Sequence, residues 1–271
     1  MKKLFTIICI TLFLFTFLQS CDKEQIEPTP AAIPLNKQDS IAMVEIYNST
    51  GGGTDWALTW DLTDFTTWTN VKVEEIDGEY RIVYLQMEGI YSNLLNGTLP
   101  DEIGNLTELK SLYILSERLR GYLPKSIGNL SKLENLSING TNLTGEIPAE
   151  IGKLQHLKRL FLHFNHFSGE LPKELGNLPL STIIWITHND ISGSVPLELL
   201  ANQRYNVTLD HNNITELPWE CWLNPDYGIP SIMYNRLSGN VPEEVLKTDK
   251  WKNYYYNLVS PQQDGYGYIF N

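Results

Sequence analysis

Cysteine is scarce in this sequence of 271 residues, with three in all, Cys9, Cys21 and Cys221. So few, so far apart, cannot form the web of bridges that holds a small secreted domain together. Positive charge is also sparse: 20 Lys and Arg stand against 32 Asp and Glu, a formal charge of -12. Nucleic acid and anionic lipid surfaces are therefore excluded as partners. Long apolar runs are missing apart from the charge-free stretch of fifteen residues from Leu4 to Leu18. That stretch is shorter than the ~20 residues a membrane-spanning helix requires. Nor does any nucleophile stand with a base. Adjacent acids such as Asp101 with Glu102 and Glu243 with Glu244 follow prolines, where solvation accounts for them. The expectation is a protein that is not an enzyme and that holds no cofactor and no metal. What the chain does have is 42% hydrophobic and 11% aromatic residues, ample for a packed core.

The N-terminus is a different material. Lys2 and Lys3 precede the apolar run, and Gln19, Ser20 and Cys21 follow it, which is the anatomy of an export signal. The tetrapeptide Leu18-Gln19-Ser20-Cys21 resembles the lipobox of bacterial lipoproteins. The resemblance implies cleavage before Cys21, lipidation of Cys21, and contact with membrane through that anchor only. Asp22, Lys23, Glu24 and Gln25 look like the short tags that send Bacteroidetes lipoproteins to the outer face of the outer membrane. Loss of the signal removes Lys2 and Lys3 and no acid, leaving 18 basic against 32 acidic residues, a charge of -14. From Asp22 to Asn36 the chain carries Pro28, Pro30 and Pro34 and little periodic hydrophobicity, as expected of an extended tether of roughly 3 Å per residue.

Beyond the tether, prolines recur at Pro100, Pro124, Pro148, Pro172, Pro196, Pro218 and Pro242, with spacings of 24, 24, 24, 24, 22 and 24. Around them a whole unit repeats, Leu-x-x-Leu-x-Leu-x-x-Asn-x-Leu-x-Gly-x-Ile-Pro-x-x-Ile-Gly-x-Leu, cleanest from Leu157 to Leu178. Such a period marks a solenoid, in which no repeat buries its apolar face alone. The unit resembles the plant-type leucine-rich repeat, a family also widespread in bacterial surface proteins. The resemblance covers about Ile82 to Leu246 and implies an α/β repeat fold with a parallel β-sheet on the concave face. The expected organisation is a signal at 1–20, the lipidated cysteine and tether at 21–35, an N-terminal cap at 36–81, seven repeats at 82–246 and a C-terminal cap at 247–271.

Within each repeat, residues such as Leu160 and Leu162, or Ile184 and Ile186, should point inward. An asparagine column, Asn93, Asn165, Asn189, Asn212 and Asn235, should bond the backbone of adjacent coils, with breaks at Glu117 and Thr141. Glycines three places before the prolines suit a tight bend, which the shortened sixth repeat lacks. Cys221 falls in the column of Ile103, Ile127 and Ile151 and so reads as core. In the first repeat, extra residues before Asn93 predict a bulge at Glu88 to Ser92. In the N-terminal cap, Asp39 to Tyr47 reads as an amphipathic helix with Ile41, Val44 and Tyr47 on one face, and Trp56, Trp60 and Trp68 should pack beside it. A C-terminal cap is expected from Trp251, Tyr254, Tyr255, Tyr256, Tyr266, Tyr268 and Phe270.

Stacked repeats turn equivalent positions into columns on the concave face. One column reads Tyr113, Ser137, Phe161, Trp185, Thr208 and Ser231, and another reads Ser116, Gly140, Phe164, His188, His211 and Tyr234. With Arg159, His163 and Asp210 these place aromatic, imidazole and charged groups on one exposed surface, a composition enriched at binding hot spots. The candidate ligand-binding residues are Tyr113, Arg159, Phe161, His163, Phe164, Trp185, His188, Asp210, His211 and Tyr234. The leading expectation is a surface module that binds a protein or peptide, such as a host or extracellular-matrix protein. Capture of a polysaccharide for nutrient uptake, on aromatic platforms, is the alternative, and a structural envelope role is the third.

Overall fold

Alternating aliphatic and polar residues open each repeat, a period of two that makes a half-buried strand. A computed structural model describes residues 33–52, 60–88, 95–202 and 206–269, and in it this alternation builds a seven-stranded sheet. Its strands are β1 (Val71–Ile76), β2 (Glu79–Glu88), β4 (Ser111–Leu115), β6 (Asn135–Asn139), β8 (Arg159–Phe161), β10 (Ile183–Trp185) and β12 (Val207–Thr208), in that order. All neighbours from β2 onward run parallel and in register, so that Leu112, Leu136, Leu160, Ile184 and Val207 sit side by side in the core. A second parallel sheet runs along the flank: β3 (Gly97–Thr98), β5 (Leu119–Tyr122), β7 (Asn142–Gly145), β9 (His166–Glu170), β11 (Asp190–Ser194) and β13 (Asn213–Glu216). Short helical turns follow the prolines and close each coil.

The repeat's small and polar residues explain themselves at the coil contacts. Gly145, Gly169 and Gly193 have φ of +77°, +78° and +76°, a bend that side chains rarely adopt. In the sixth repeat this glycine is gone, and the β11–β13 register slips between Gly193 and Ser194. At the Ile-Gly pair, a Cβ on Gly128 would stand 2.5 Å from the carbonyl oxygen of Glu150 in the next coil. Cys221 is fully buried in the column of Ile103, Ile127 and Ile151. Burial pushes its thiol pKa up, which makes it a core residue and a poor nucleophile.

The asparagine column is a ladder between coils. Asn212 Nδ2 donates to the carbonyls of Ile186 (2.7 Å) and Leu209 (3.0 Å), and its Oδ1 accepts from the Ile191 amide (3.1 Å). Asn165, Asn189 and Asn235 make equivalent bonds. Hydroxyls take over at the two breaks. Thr141 is buried and donates to Asn165 Oδ1. In the second repeat Glu117 is exposed and Ser116 is buried in its place, donating to the Leu95 carbonyl at 2.8 Å. Beyond Asn235 the ladder gains a rung with no repeat around it: Gln262 accepts from the Leu237 amide (3.2 Å) and donates to the Ile232 carbonyl (3.1 Å). The C-terminal segment thus forms a partial further coil, and β15 (Gly267–Ile269) extends β14 (Ser238–Asn240) in parallel.

Both ends of the core are covered. Helix α1 (Lys37–Ser49) is capped by the Asn36 side chain, which accepts from the amides of Gln38 and Asp39. Its buried face is Asp39, Ala42, Met43 and Ile46, which corrects the expected face of Ile41, Val44 and Tyr47: Ile41 is 38% exposed, and of the three only Tyr47 packs against the core, stacked on Trp60. The reason is a polar residue at the head of the true stripe. Asp39 is fully buried, ion-paired with Arg81 (3.1 Å) and accepting from the Ile82 amide (2.7 Å). Beside the helix, Trp60 and Trp68 are buried with ring centroids 5.7 Å apart, while Trp56 lies outside the described residues. The cap also holds a hairpin that the repeat pattern does not announce. Strands β1 and β2 are antiparallel and turn at Asp77 and Gly78, both with positive φ, as a type I′ turn requires. At the other end Trp222, Trp251 and Tyr255 pack together and are buried, whereas Tyr256 and Tyr266 are exposed.

From Pro34 onward the chain packs as one unit. No described helix is long and apolar enough to cross a membrane. Cys21, Asn93, Phe270, the Tyr268 side chain and most of the bulge expected at Glu88 to Ser92 lie outside the described residues.

Candidate functional site

Where each strand of repeats four to seven ends, the chain turns through one residue in the left-handed conformation. These residues are Phe164, His188, His211 and Tyr234, with φ of +54° to +56°. Because the turn repeats without change, the side chains leave the backbone in the same direction and stack. Centroid distances are 4.3 Å from Phe164 to His188, 4.2 Å from His188 to His211, and 4.4 Å from His211 to Tyr234, with interplanar angles of 28°, 21° and 12°. All four are exposed.

A second stack lies alongside. Phe161 and Trp185 are register partners, 4.6 Å apart and 17° from parallel. His163 sits between the stacks, edge-on to Phe164 at 5.6 Å and 6.2 Å from Phe161. Its Nδ1 is buried with no hydrogen-bond partner among the described residues. Burial, and then the nearby His188 charge, hold the His163 pKa below the ordinary imidazole value. His188 is lowered in the same sense, by burial and then by His211, against an opposing pull from Asp210. Both shifts favour the neutral imidazole at these two positions.

Not every candidate joins this group. Tyr113 is separated from Phe161 by the Ser137 strand and packs instead on Tyr84, at 5.7 Å. Arg159 donates to Asn135 Oδ1 at 2.9 Å, on the same face. Asp210 accepts from the Ser231 hydroxyl (2.8 Å) and the Met233 amide (2.8 Å), so part of its hydrogen-bonding capacity is already used.

A family model described as a leucine-rich repeat region matches residues 61–194. This is a leucine-rich-repeat fold. The solenoid is similar to the ectodomain of the receptor kinase SOBIR1 from Arabidopsis thaliana, with 24% identity over 69% of this chain and 99% of that one and a TM-score of 0.56. It is also similar to a chain of the BIR3–SERK2 complex from the same plant (25% identity, 66% of this chain, 95% of that one, TM-score 0.51). The BIR2 ectodomain, again from Arabidopsis thaliana, matches at 21% identity over 68% of this chain and 95% of that one, with a TM-score of 0.52. No curated protein matches the chain.

The stacking geometry limits what the leucine-rich-repeat surface can do. Rings packed face to face hide their faces from a ligand and present their edges, which carry positive C–H and imidazole N–H groups. Such edges suit carbonyl oxygens and apolar side chains. The faces left over are those at the ends of a stack. One of them, on Phe164, looks onto Gly140 and a cleft of about 440 Å³ lined also by Glu117, Asn142 and His166. Sequence reasoning places Gly140 in the column of rings but does not show that its missing side chain opens a space. The signal was a glycine directly before four consecutive rings in that column. Among the described residues no group of three or more His, Cys, Asp or Glu converges as metal ligands.

Proposed function

We propose that this protein is a binding module displayed on the outside of a bacterial cell, tethered by lipid at Cys21, whose concave face takes a protein or peptide ligand. The observation that carries this reading is the run of exposed rings in the left-handed conformation. Glycine or asparagine is the least costly occupant of that conformation, and other residues cost roughly 1–2 kcal/mol more there. Four successive copies nonetheless carry Phe164, His188, His211 and Tyr234, with 55% of Phe164 and 41% of Tyr234 left exposed. Trp185, 44% exposed, adds a large apolar edge beside them. Rings of this kind are the usual anchors of protein interfaces. The likeness to a chain of the BIR3–SERK2 complex is consistent with this use of the fold. Capture of polysaccharide is less well supported, because sugars stack on open ring faces and here most faces are covered by a neighbouring ring.

The test is selection of random displayed peptides on the full chain, followed by affinity measurement with a Phe161→Ala/Trp185→Ala variant and with His188→Ala. At least a tenfold loss of affinity in both, with melting temperatures within a few degrees of the parent, is the expected result. Peptides that bind all three proteins equally would move the site off the concave face.

A further inference from the structure

The ring ladder is one rung short. Gly140 has φ of +58°, the conformation of Phe164, His188, His211 and Tyr234, so a side chain there would leave in the ladder's direction. On its far side stands Leu115, whose Cδ1 lies 3.0 Å from the place a Gly140 Cβ would occupy. The near wall is the open face of Phe164, whose other face is covered by His188. Phe164 and Gly140 line a cleft of about 440 Å³ together with Glu117, Asn142, His166 and His188.

We propose that this cleft receives the aromatic side chain of a peptide ligand, which stacks on Phe164 as the missing rung while a neighbouring Lys or Arg of the ligand meets Glu117. The inference rests on the concave face being a peptide site, and it names what the peptide must bring. The rungs repeat every 4.2 to 4.4 Å, so a flat ring placed one rung beyond Phe164 would stack on its face. Glu117 is exposed and makes no salt bridge among the described residues. The whole chain carries -12, which favours a cationic ligand over an anionic one.

The experiment is an NMR titration of the isotope-labelled full chain with Ac-Trp-Arg-NH2, Ac-Leu-Arg-NH2, Ac-Trp-Glu-NH2 and cellotetraose. Ac-Trp-Arg-NH2 should move the Gly140 amide and the Phe164 ring resonances and bind about tenfold more tightly than the leucine peptide, with the glutamate peptide in between. Gly140→Phe should fill the slot and abolish those shifts. Four copies already hold a ring in this backbone conformation, so the variant should fold. Gly140→Asn and Phe164→Ala provide a second check that adds no ring, and each should weaken binding about tenfold. Shifts confined to Phe161 and Trp185 would overturn the slot, as would cellotetraose moving Gly140 and Phe164 while the dipeptides do not. Selected library peptides separate this failure from that of the peptide-binding reading. If they bind, need Phe161 and Trp185, and ignore Gly140→Phe, only the slot is wrong. If none binds at all, both readings are wrong.

Discussion

Replacing Asn212 with alanine tests the claim that the coils are held together by buried amides. Asn212 is 1% exposed; its Oδ1 accepts from the Ile191 amide and its Nδ2 donates to the carbonyls of Ile186 and Leu209, with a longer bond to that of Asp210. In Asn212→Ala the Ile191 amide and the Ile186 carbonyl lose this partner, whereas the Leu209 carbonyl keeps Asn235 and the Asp210 carbonyl keeps the His188 amide. An unsatisfied buried group costs about 1–3 kcal/mol, less for a carbonyl with a second lone pair in use. The two together should cost about 2–4 kcal/mol, a large part of a typical stability of about 5–15 kcal/mol. Gln262→Ala takes this partner from the Leu237 amide and the Val259 carbonyl, while the Ile232 carbonyl keeps Asn235. It should cost about 1–2 kcal/mol. Asn213→Ala, one residue away on the half-buried flank, should stay within about 0.5 kcal/mol of the parent. The assay is urea unfolding followed by circular dichroism and by tryptophan fluorescence, because a solenoid can unravel from one end and only coincident curves license a single free energy. Asn212→Ala falling within 1 kcal/mol of Asn213→Ala would refute the reasoning.

Two further outcomes follow from the same geometry and from the N-terminus. The pKa values of His163 and His188 are lowered from 6.5 by burial and by neighbouring imidazoles. The unfolded chain therefore binds more protons just below that pH, and stability is lost as pH falls from about 6.5 through the folded values. Urea midpoints at pH 7.5, 6.5 and 5.5 should fall faster for the parent than for a His163→Gln/His188→Gln variant; parallel curves would contradict the assignment. For the anchor, expression with Cys21→Ala should move the protein from the membrane fraction to the soluble fraction, with loss of metabolic palmitate label. A variant still labelled and still in the membrane fraction would rule out lipid attachment at Cys21.

The columns of the concave face were legible because they are periodic. Once the prolines set the frame, Phe161 and Trp185 had to be neighbours, as had His188 and His211, and the structure pairs them. The Asn165, Asn189, Asn212 and Asn235 ladder and the glycine bends were readable for the same reason. Features that occur once were not. The Asp77 and Gly78 turn carries a hairpin signal in its residue types, but its strands lie outside the repeat frame. Gln262 completes the ladder from a segment that shares no motif with it. The face of α1 was misread because its stripe begins with Asp39, whose burial depends on Arg81, forty-two residues away.

Sequence alone thus determined the coil, its period and most of the concave columns, since a repeated unit that cannot bury its own apolar face has only stacking in register open to it; Ser116, expected on the concave face, is instead buried at the asparagine position, with Leu115 exposed beside it. Tertiary structure decided which rings meet and which faces stay open. Tyr113 is cut off from the others by the small Ser137, and Phe164 keeps one bare face because Gly140 supplies no ring. Those outcomes depend on what stands in the neighbouring coil, a contact across some 24 residues of chain, and no local propensity encodes it.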